Sequence, residues 1–143
     1  MGATARWLGT LVAGALPFVA GQGVAAAAFA EGEQSLTFTH QGSEVTCRLF
    51  GQSDVLDGDG SAASSTNGDS DPQCAGRLSV SVTYVDDAGV QRTSGATTAS
   101  GTDVAHTVQG VRDSFVATHR VVFTNCDSAQ EASCELSFTT TPK

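Results

Sequence analysis

Residues 77–85 read RLSVSVTYV and alternate without a break. Leu78, Val80, Val82 and Tyr84 fall on one side of an extended chain; Ser79, Ser81 and Thr83 fall on the other. A period of two with β-branched and small polar residues predicts a strand in an antiparallel sheet, one face dry and the other wet. Asp86-Asp87-Ala88-Gly89 follows as a turn, and Val90 to Thr93 begins a return.

Working outward, the same period recurs. Residues 35–40 (SLTFTH) place Leu36, Phe38 and His40 together, and residues 44–50 (EVTCRLF) place Val45, Cys47 and Leu49 together. These two predict a hairpin turning at Gln41-Gly42-Ser43. Residues 94–103 (SGATTASGTD) are weakly patterned and fit an edge strand or a loop. Val104, His106 and Val108 share a face before Gly110. Residues 114–124 (SFVATHRVVFT) place Phe115, Ala117, His119, Val121 and Phe123 on one side and Val116 and Val122 on the other. That strand is therefore covered on both sides or carries a bulge. Residues 134–140 close the chain with Cys134, Leu136 and Phe138 aligned. The result is six to eight short strands, no useful helical period and no internal repeat. The expected fold is all-β, an immunoglobulin-like antiparallel sandwich, with a small closed barrel as the alternative.

The 143 residues suffice for one domain. Seven Lys and Arg against fifteen Asp and Glu give a net charge of −8. The basic residues Arg48, Arg77, Arg92, Arg112, Arg120 and Lys143 are scattered singly. Phosphate backbones and anionic membranes need clustered cations, so neither nucleic acid nor a membrane surface is an expected partner. The acidity itself serves solubility.

The start of the chain has a different character. Arg6 is the only charge among residues 1–30. An apolar run from Trp7 to Ala20 follows, then Gly and Ala up to Ala28-Phe29-Ala30. This order predicts a secretory signal peptide over residues 1–30, cut after Ala30, with Ala26 and Ala28 as other points. An uncleaved anchor is the alternative; the Gly/Ala-rich second half and the lack of a basic stop-transfer cluster weigh against it. Ala15 stands where a lipidated Cys would have to follow Leu11-Val12-Ala13-Gly14. The expected product, residues 31–143, is a single secreted extracellular domain and a monomer.

All four cysteines, Cys47, Cys74, Cys126 and Cys134, follow that segment, and an even count in an exported chain predicts two disulfides. Of three pairings, Cys47–Cys74 and Cys126–Cys134 each close a polar loop between apolar strands. The second would set Val122 opposite Phe138 and Thr124 opposite Leu136. Zinc spacings do not fit.

Residues 51–73 (GQSDVLDGDGSAASSTNGDSDPQ) carry five Asp and no cation. They read as a disordered acidic loop that cannot contribute to a core. Asp54, Asp57 and Asp59 are weak calcium candidates: Asp57-Gly58-Asp59-Gly60 looks like part of an EF-hand loop, but the twelfth position holds no Glu. His40, His106 and His119 each lie on the apolar phase of a strand, where a buried or rim histidine is the ordinary reading. A three-histidine metal site is the sharper one. No G-x-S-x-G elbow occurs, and no carboxylate pair demands a cleft. No cofactor and no catalytic residue are expected.

The export signal, RLSVSVTYVDDAG (77–89) and THRVVFTNCDSAQEASCELSFTTTPK (118–143) together resemble small secreted actinobacterial proteins with immunoglobulin-like domains and no assigned activity. That resemblance implies a sandwich and names no ligand. The neocarzinostatin-type chromophore carriers are a more distant comparison: small, acidic, exported sandwiches with two disulfides, one a tight loop near the C-terminus. The single Trp lies in the leading segment, so the buried Trp of antibody domains is absent. Three functions follow as expectations. The first is a non-enzymatic extracellular binding or structural module with a cell-wall or extracellular partner. The second is a small-molecule carrier with an apolar cleft. The third is a protease inhibitor or small hydrolase, with 127–133 (DSAQEAS) as the inhibitory loop.

Overall fold

The computed structural model describes residues 28–143. Eight strands occupy them: β1 (Ala28–His40), β2 (Ser43–Leu56), β3 (Asp59–Thr66), β4 (Gly76–Asp86), β5 (Gln91–Gly101), β6 (Asp103–Val108), β7 (Val111–Phe123) and β8 (Glu135–Thr140). They form two antiparallel four-stranded sheets, ordered β1-β2-β3-β6 and β5-β4-β7-β8. The sheets lie face to face as a sandwich, not a closed barrel. Residues 1–27, most of the segment expected to be a signal peptide, lie outside the described residues. Ala28, Phe29 and Ala30 already pair with Val55, Asp54 and Ser53. Of the three cleavage points considered, only the one after Ala26 leaves that ladder whole.

Local chemistry accounts for the strands. In β4, Leu78, Val80 and Val82 are buried while Ser79, Ser81 and Thr83 stay half-exposed, as the alternation requires. The β1–β2 hairpin turns on Gln41 and Gly42, both at positive φ (51° and 82°), with His40 paired to Ser43. Positive φ at both central residues is a type I′ turn, whose twist matches that of paired strands. After β4, Asp86 Oδ1 accepts from the backbone N–H of Ala88 and of Val90, both at 2.9 Å, which fixes the next turn. Residues 91–101 form one continuous edge strand, β5, which resolves the weak pattern there. Of the two alternatives for residues 114–124, a bulge is found, at the start of the stretch: the β4–β7 register shifts on both sides of Val85, and Ser114 takes a positive φ of 57°, while Val116 and Val122 stay half-exposed.

One expectation is overturned. Residues 51–73 are not a disordered loop. Eight of them form the end of β2 and the turn into β3, and the whole of β3 follows before two short 3-10 turns, Asn67–Asp69 and Pro72–Cys74. Ser53, Ala62 and Ser64 are fully buried. The physical reason lies in Asp57-Gly58. Asp57 (φ 53°) and Gly58 (φ 82°) make a second type I′ turn, with Leu56 paired to Asp59. The backbone pairing and small side chains supply what apolar bulk does not. Gly58→Ala is expected to cost about 1 kcal/mol, because an L side chain is strained at positive φ. Thermal unfolding checks this; an unchanged melting temperature would mean the turn is not held.

The last hairpin also differs in register. Val121 faces Leu136 and His119 faces Phe138, not Val122 opposite Phe138. The ladder ends with Val122 paired to Glu135, four positions before Cys126 on one side and directly after Cys134 on the other. The cystine loop is therefore lopsided, with a 3-10 turn (Glu131–Cys134) absorbing residues on one arm. The facing of Leu136 and Phe138 toward the interior is unaffected.

The interior divides in two. One apolar cluster gathers Phe38, Leu49, Leu78, Val121 and Phe123 around the buried Cys47–Cys74 disulfide, with the Phe38 and Phe123 rings 5.6 Å apart. The other gathers Ala62, Val80, Val82, Tyr84, Phe115 and Ala117. Between them the sandwich is polar, and three glycines of the first sheet let aromatic rings of the second approach its backbone. A Cβ on Gly32 would lie 2.8 Å from the Phe138 ring and one on Gly51 2.7 Å from His119 Nδ1, while one on Gly60 would clash with the Phe115 ring. No side chain larger than hydrogen fits at these crossings.

Candidate functional site

The polar belt is built by one residue from each of four strands. His119 of β7 is fully buried, as are Ser64 of β3 and Ser53 of β2; Thr140 of β8 is nearly so. Ser64 Oγ donates to the Ser79 carbonyl of β4 at 3.0 Å. A carbonyl only accepts, so this bond fixes the direction of the rest. His119 Nδ1–H donates to Ser64 Oγ at 2.9 Å, and the Ala63 carbonyl is a further acceptor for the ring. Thr140 Oγ1–H donates to His119 Nε2 at 2.8 Å, and Ser53 Oγ–H donates to Thr140 Oγ1 at 2.7 Å. Each hydroxyl proton is used and the imidazole is neutral. Burial holds His119 down to a pKa of about 4, against 6.5 when free.

A serine bonded to a histidine invites a nucleophilic reading. The geometry here serves packing instead: Ser64 spends its proton on a backbone carbonyl, Nε2 is already occupied, and no carboxylate touches the ring. These four residues clamp the first sheet to the second. Ser53, Ser64 and Thr140 were not singled out from sequence. The signal was available in Gly60-Ser61-Ala62-Ala63-Ser64, where small residues alternate on one face behind the Asp57-Gly58 turn.

The three histidines do not converge. His40, at the end of β1, donates from Nδ1 to the Asn125 carbonyl at 2.9 Å and lies 3.9 Å from Asp127. His106, on β6, bonds Ser94 of the neighbouring sheet through Nε2 at 2.8 Å. Among the described residues no three His, Cys, Asp or Glu side chains come together as a metal would require. Asp57 occupies the turn. Asp54 accepts from Ser61 Oγ, and burial raises its carboxyl above the usual range. Asp54 and Asp59 line an open recess of about 310 Å³ with Leu56, Ser61, Thr107 and Val108. Its lining is mixed, unlike the apolar cleft expected of a carrier.

Both disulfides pair as expected, Cys47 with Cys74 and Cys126 with Cys134. The second bridge closes residues 127–133, all of them exposed. This loop is held beyond its cystine. Asp127 N–H donates to the Thr39 carbonyl at 2.9 Å, and Asp127 Oδ2 accepts from Gln41 N–H at 2.8 Å. The β1–β2 turn and the cystine loop therefore form one surface. Glu131 adds ion pairs to Arg77 at 2.7 Å and Arg120 at 3.3 Å, tying the loop to the outer face of the second sheet. Among the described residues no helix is long and apolar enough to cross a membrane. No protein-family model, no curated protein and no solved structure matches this chain.

Proposed function

We propose that this chain is an exported, non-enzymatic binding module that meets an extracellular or cell-wall partner through the surface made by the cystine loop 127–133 and the β1–β2 turn. The observation that carries this reading is the anchoring of Asp127. A fully exposed loop is fastened at its base by a disulfide and by two hydrogen bonds to another hairpin. Pre-ordering a loop in this way lowers the entropy lost on binding, and contact residues concentrate on loops held by a rigid frame. Two disulfides in a small all-β domain also fit an oxidising, extracellular setting.

The test replaces residues 128–132 with Gly and Ser, keeping both cysteines. Immobilised wild-type and loop-replaced chains are exposed to culture supernatant and cell-envelope extract. A partner captured by the wild type and lost from the variant is expected. Equal capture by both would refute this surface.

The same loop supports a second reading, a protease inhibitor, because Gln130 is extended (φ −104°, ψ 116°) at its exposed crest. Inhibition of a secreted protease with the Gln130–Glu131 bond intact would favour that reading over the first.

A further inference from the structure

We propose that the buried chain Ser53–Thr140–His119–Ser64 is an acid-release device: one added proton breaks it and unpins the two sheets. The argument is one of donors and acceptors. At neutral pH every member is matched, because Nε2 accepts from Thr140 while Nδ1–H donates to Ser64. Protonated imidazole has two donors and no acceptor. Nε2–H would then have to donate to Thr140 Oγ1, Thr140 would have to turn its proton to Ser53, and the Ser53 proton would have no acceptor. One added proton thus leaves an orphaned hydroxyl and an uncompensated charge in the interior.

No charged group nearby offsets that charge; the Ala63 carbonyl favours it, and burial outweighs that acceptor. His119 meets Gly51 and Ser64 across the interface, pairs with Val80 of β4, and contacts Phe138 and Thr140 of β8. None of these is charged. The nearest charged residue in sequence, Arg120, faces outward and is paired with Glu135 at 2.6 Å and Glu131 at 3.3 Å. On β2, Arg48 is exposed and Asp54 is bonded to Ser61 on the outer face; on β1, Glu31 and Glu33 are exposed. On β3, Asp59 is exposed at the turn, and on β4 Arg77 lies outside, paired with Glu131, while Asp86 closes the far turn. The burial that seals the ring from water is also what makes its proton costly.

The sign follows. His119 binds its proton more weakly folded than unfolded, so its contribution to stability is whole above pH 6.5. It declines as pH falls from 6.5 to about 4, the value burial sets for the folded state, and is constant below. Across that window the folded-to-unfolded ratio drops about 300-fold from this residue alone.

Two measurements decide. The first follows the three imidazoles of the wild-type chain by NMR during acid titration. His119 is expected to stay neutral to near pH 4 while the fold persists; an imidazole that protonates near pH 6.5 within an intact fold overturns the proposal. The second compares denaturant unfolding of the wild type and His119→Gln at pH 7 and pH 4. Glutamine keeps a donor and an acceptor but cannot titrate. Asp54 and the other carboxylates are common to both proteins and cancel in the comparison. The wild type is expected to lose its advantage over the variant on acidification, by the same factor. A gap unchanged between the two pH values overturns the proposal. If His119→Gln does not fold, the imidazole titration alone decides.

Discussion

Replacing Cys47 and Cys74 together by alanine is expected to destabilise the chain by about 4 kcal/mol, the greater part from loop closure. The bridge spans 27 positions, and tying them together removes about 3.6 kcal/mol of unfolded-state entropy. The rest is packing. Both cysteines are fully buried inside the cluster of Leu49, Leu78 and Phe123, and alanine leaves a small void there. The bridge also joins the two sheets: Cys47 lies on β2, and Cys74 ends the turn that leads into β4. The Cys126–Cys134 bridge closes only 8 positions within one hairpin, and its loop is exposed. Its removal should cost about 2.6 kcal/mol by the same reasoning, with little added by packing. Urea unfolding of the two double variants measures both. A domain whose whole stability is of the order of 5–15 kcal/mol would then be marginal without the first bridge and folded without the second. Equal losses, or a larger loss from the terminal bridge, would overturn the loop-closure account of the first bridge.

The strands that could be read from sequence are those whose side chains carry the pattern. RLSVSVTYV alternates because its inner face must be apolar and its outer face wet, and β4 follows it residue for residue. The cystine pairing was legible because each pair brackets a loop between two such strands. The stretch 51–73 carries no strand pattern for a physical reason. Its inward residues are Gly51, Ser53, Gly60, Ala62 and Ser64, which are small because rings from β7 occupy the space above them. A strand built to receive another strand's side chains has no hydrophobic signature of its own. Only Asp57-Gly58 betrayed it, and with Asp59-Gly60 these two also resemble part of a calcium loop. Among the candidate site residues, His119 was placed on the correct face, but its partners could not be found. Ser53, Ser64 and Thr140 are ordinary in type and lie 66, 55 and 21 positions away, so only the sheet topology brings them to one ring.

Function was less legible than fold, because nothing exposed on this frame has a chemical signature in one dimension. The cystine loop becomes distinctive only when Asp127 is seen bonded to Gln41 and Thr39, residues from the opposite end of the folded chain. His40 lies in that same junction, bonded to Asn125, and not in a metal site. Its apolar phase in β1 reflects a rim position between the hairpin and the loop. Three of the fifteen acidic residues, Asp86, Glu131 and Glu135, are each committed to an arginine.

Gly51→Ala should be strongly damaging for a single added methyl group. The added carbon would stand 2.7 Å from His119 Nδ1, and nearer still to carbons of the ring, well inside van der Waals contact. An imidazole on a flexible arm could swing aside, but this one is held at both nitrogens, by Ser64 and Thr140. Moving it forfeits those bonds and leaves buried hydroxyls unmatched, which adds to the cost of overpacking. The two together are expected to reach about 4 kcal/mol. On the pairing, Gly51 lies opposite Gly32 of β1, whose own missing side chain admits Phe138, so the strand cannot retreat without disturbing the next crossing. A double variant, Gly51→Ala with His119→Ala, separates steric from hydrogen-bond terms. With the ring gone, the added methyl has room, so the double variant should be more stable than the two single losses summed, by about 2 kcal/mol. Strict additivity would mean that the ring and the glycine do not meet, and a cost under about 1 kcal/mol for Gly51→Ala alone would show that the sheets part easily where the buried chain is supposed to clamp them.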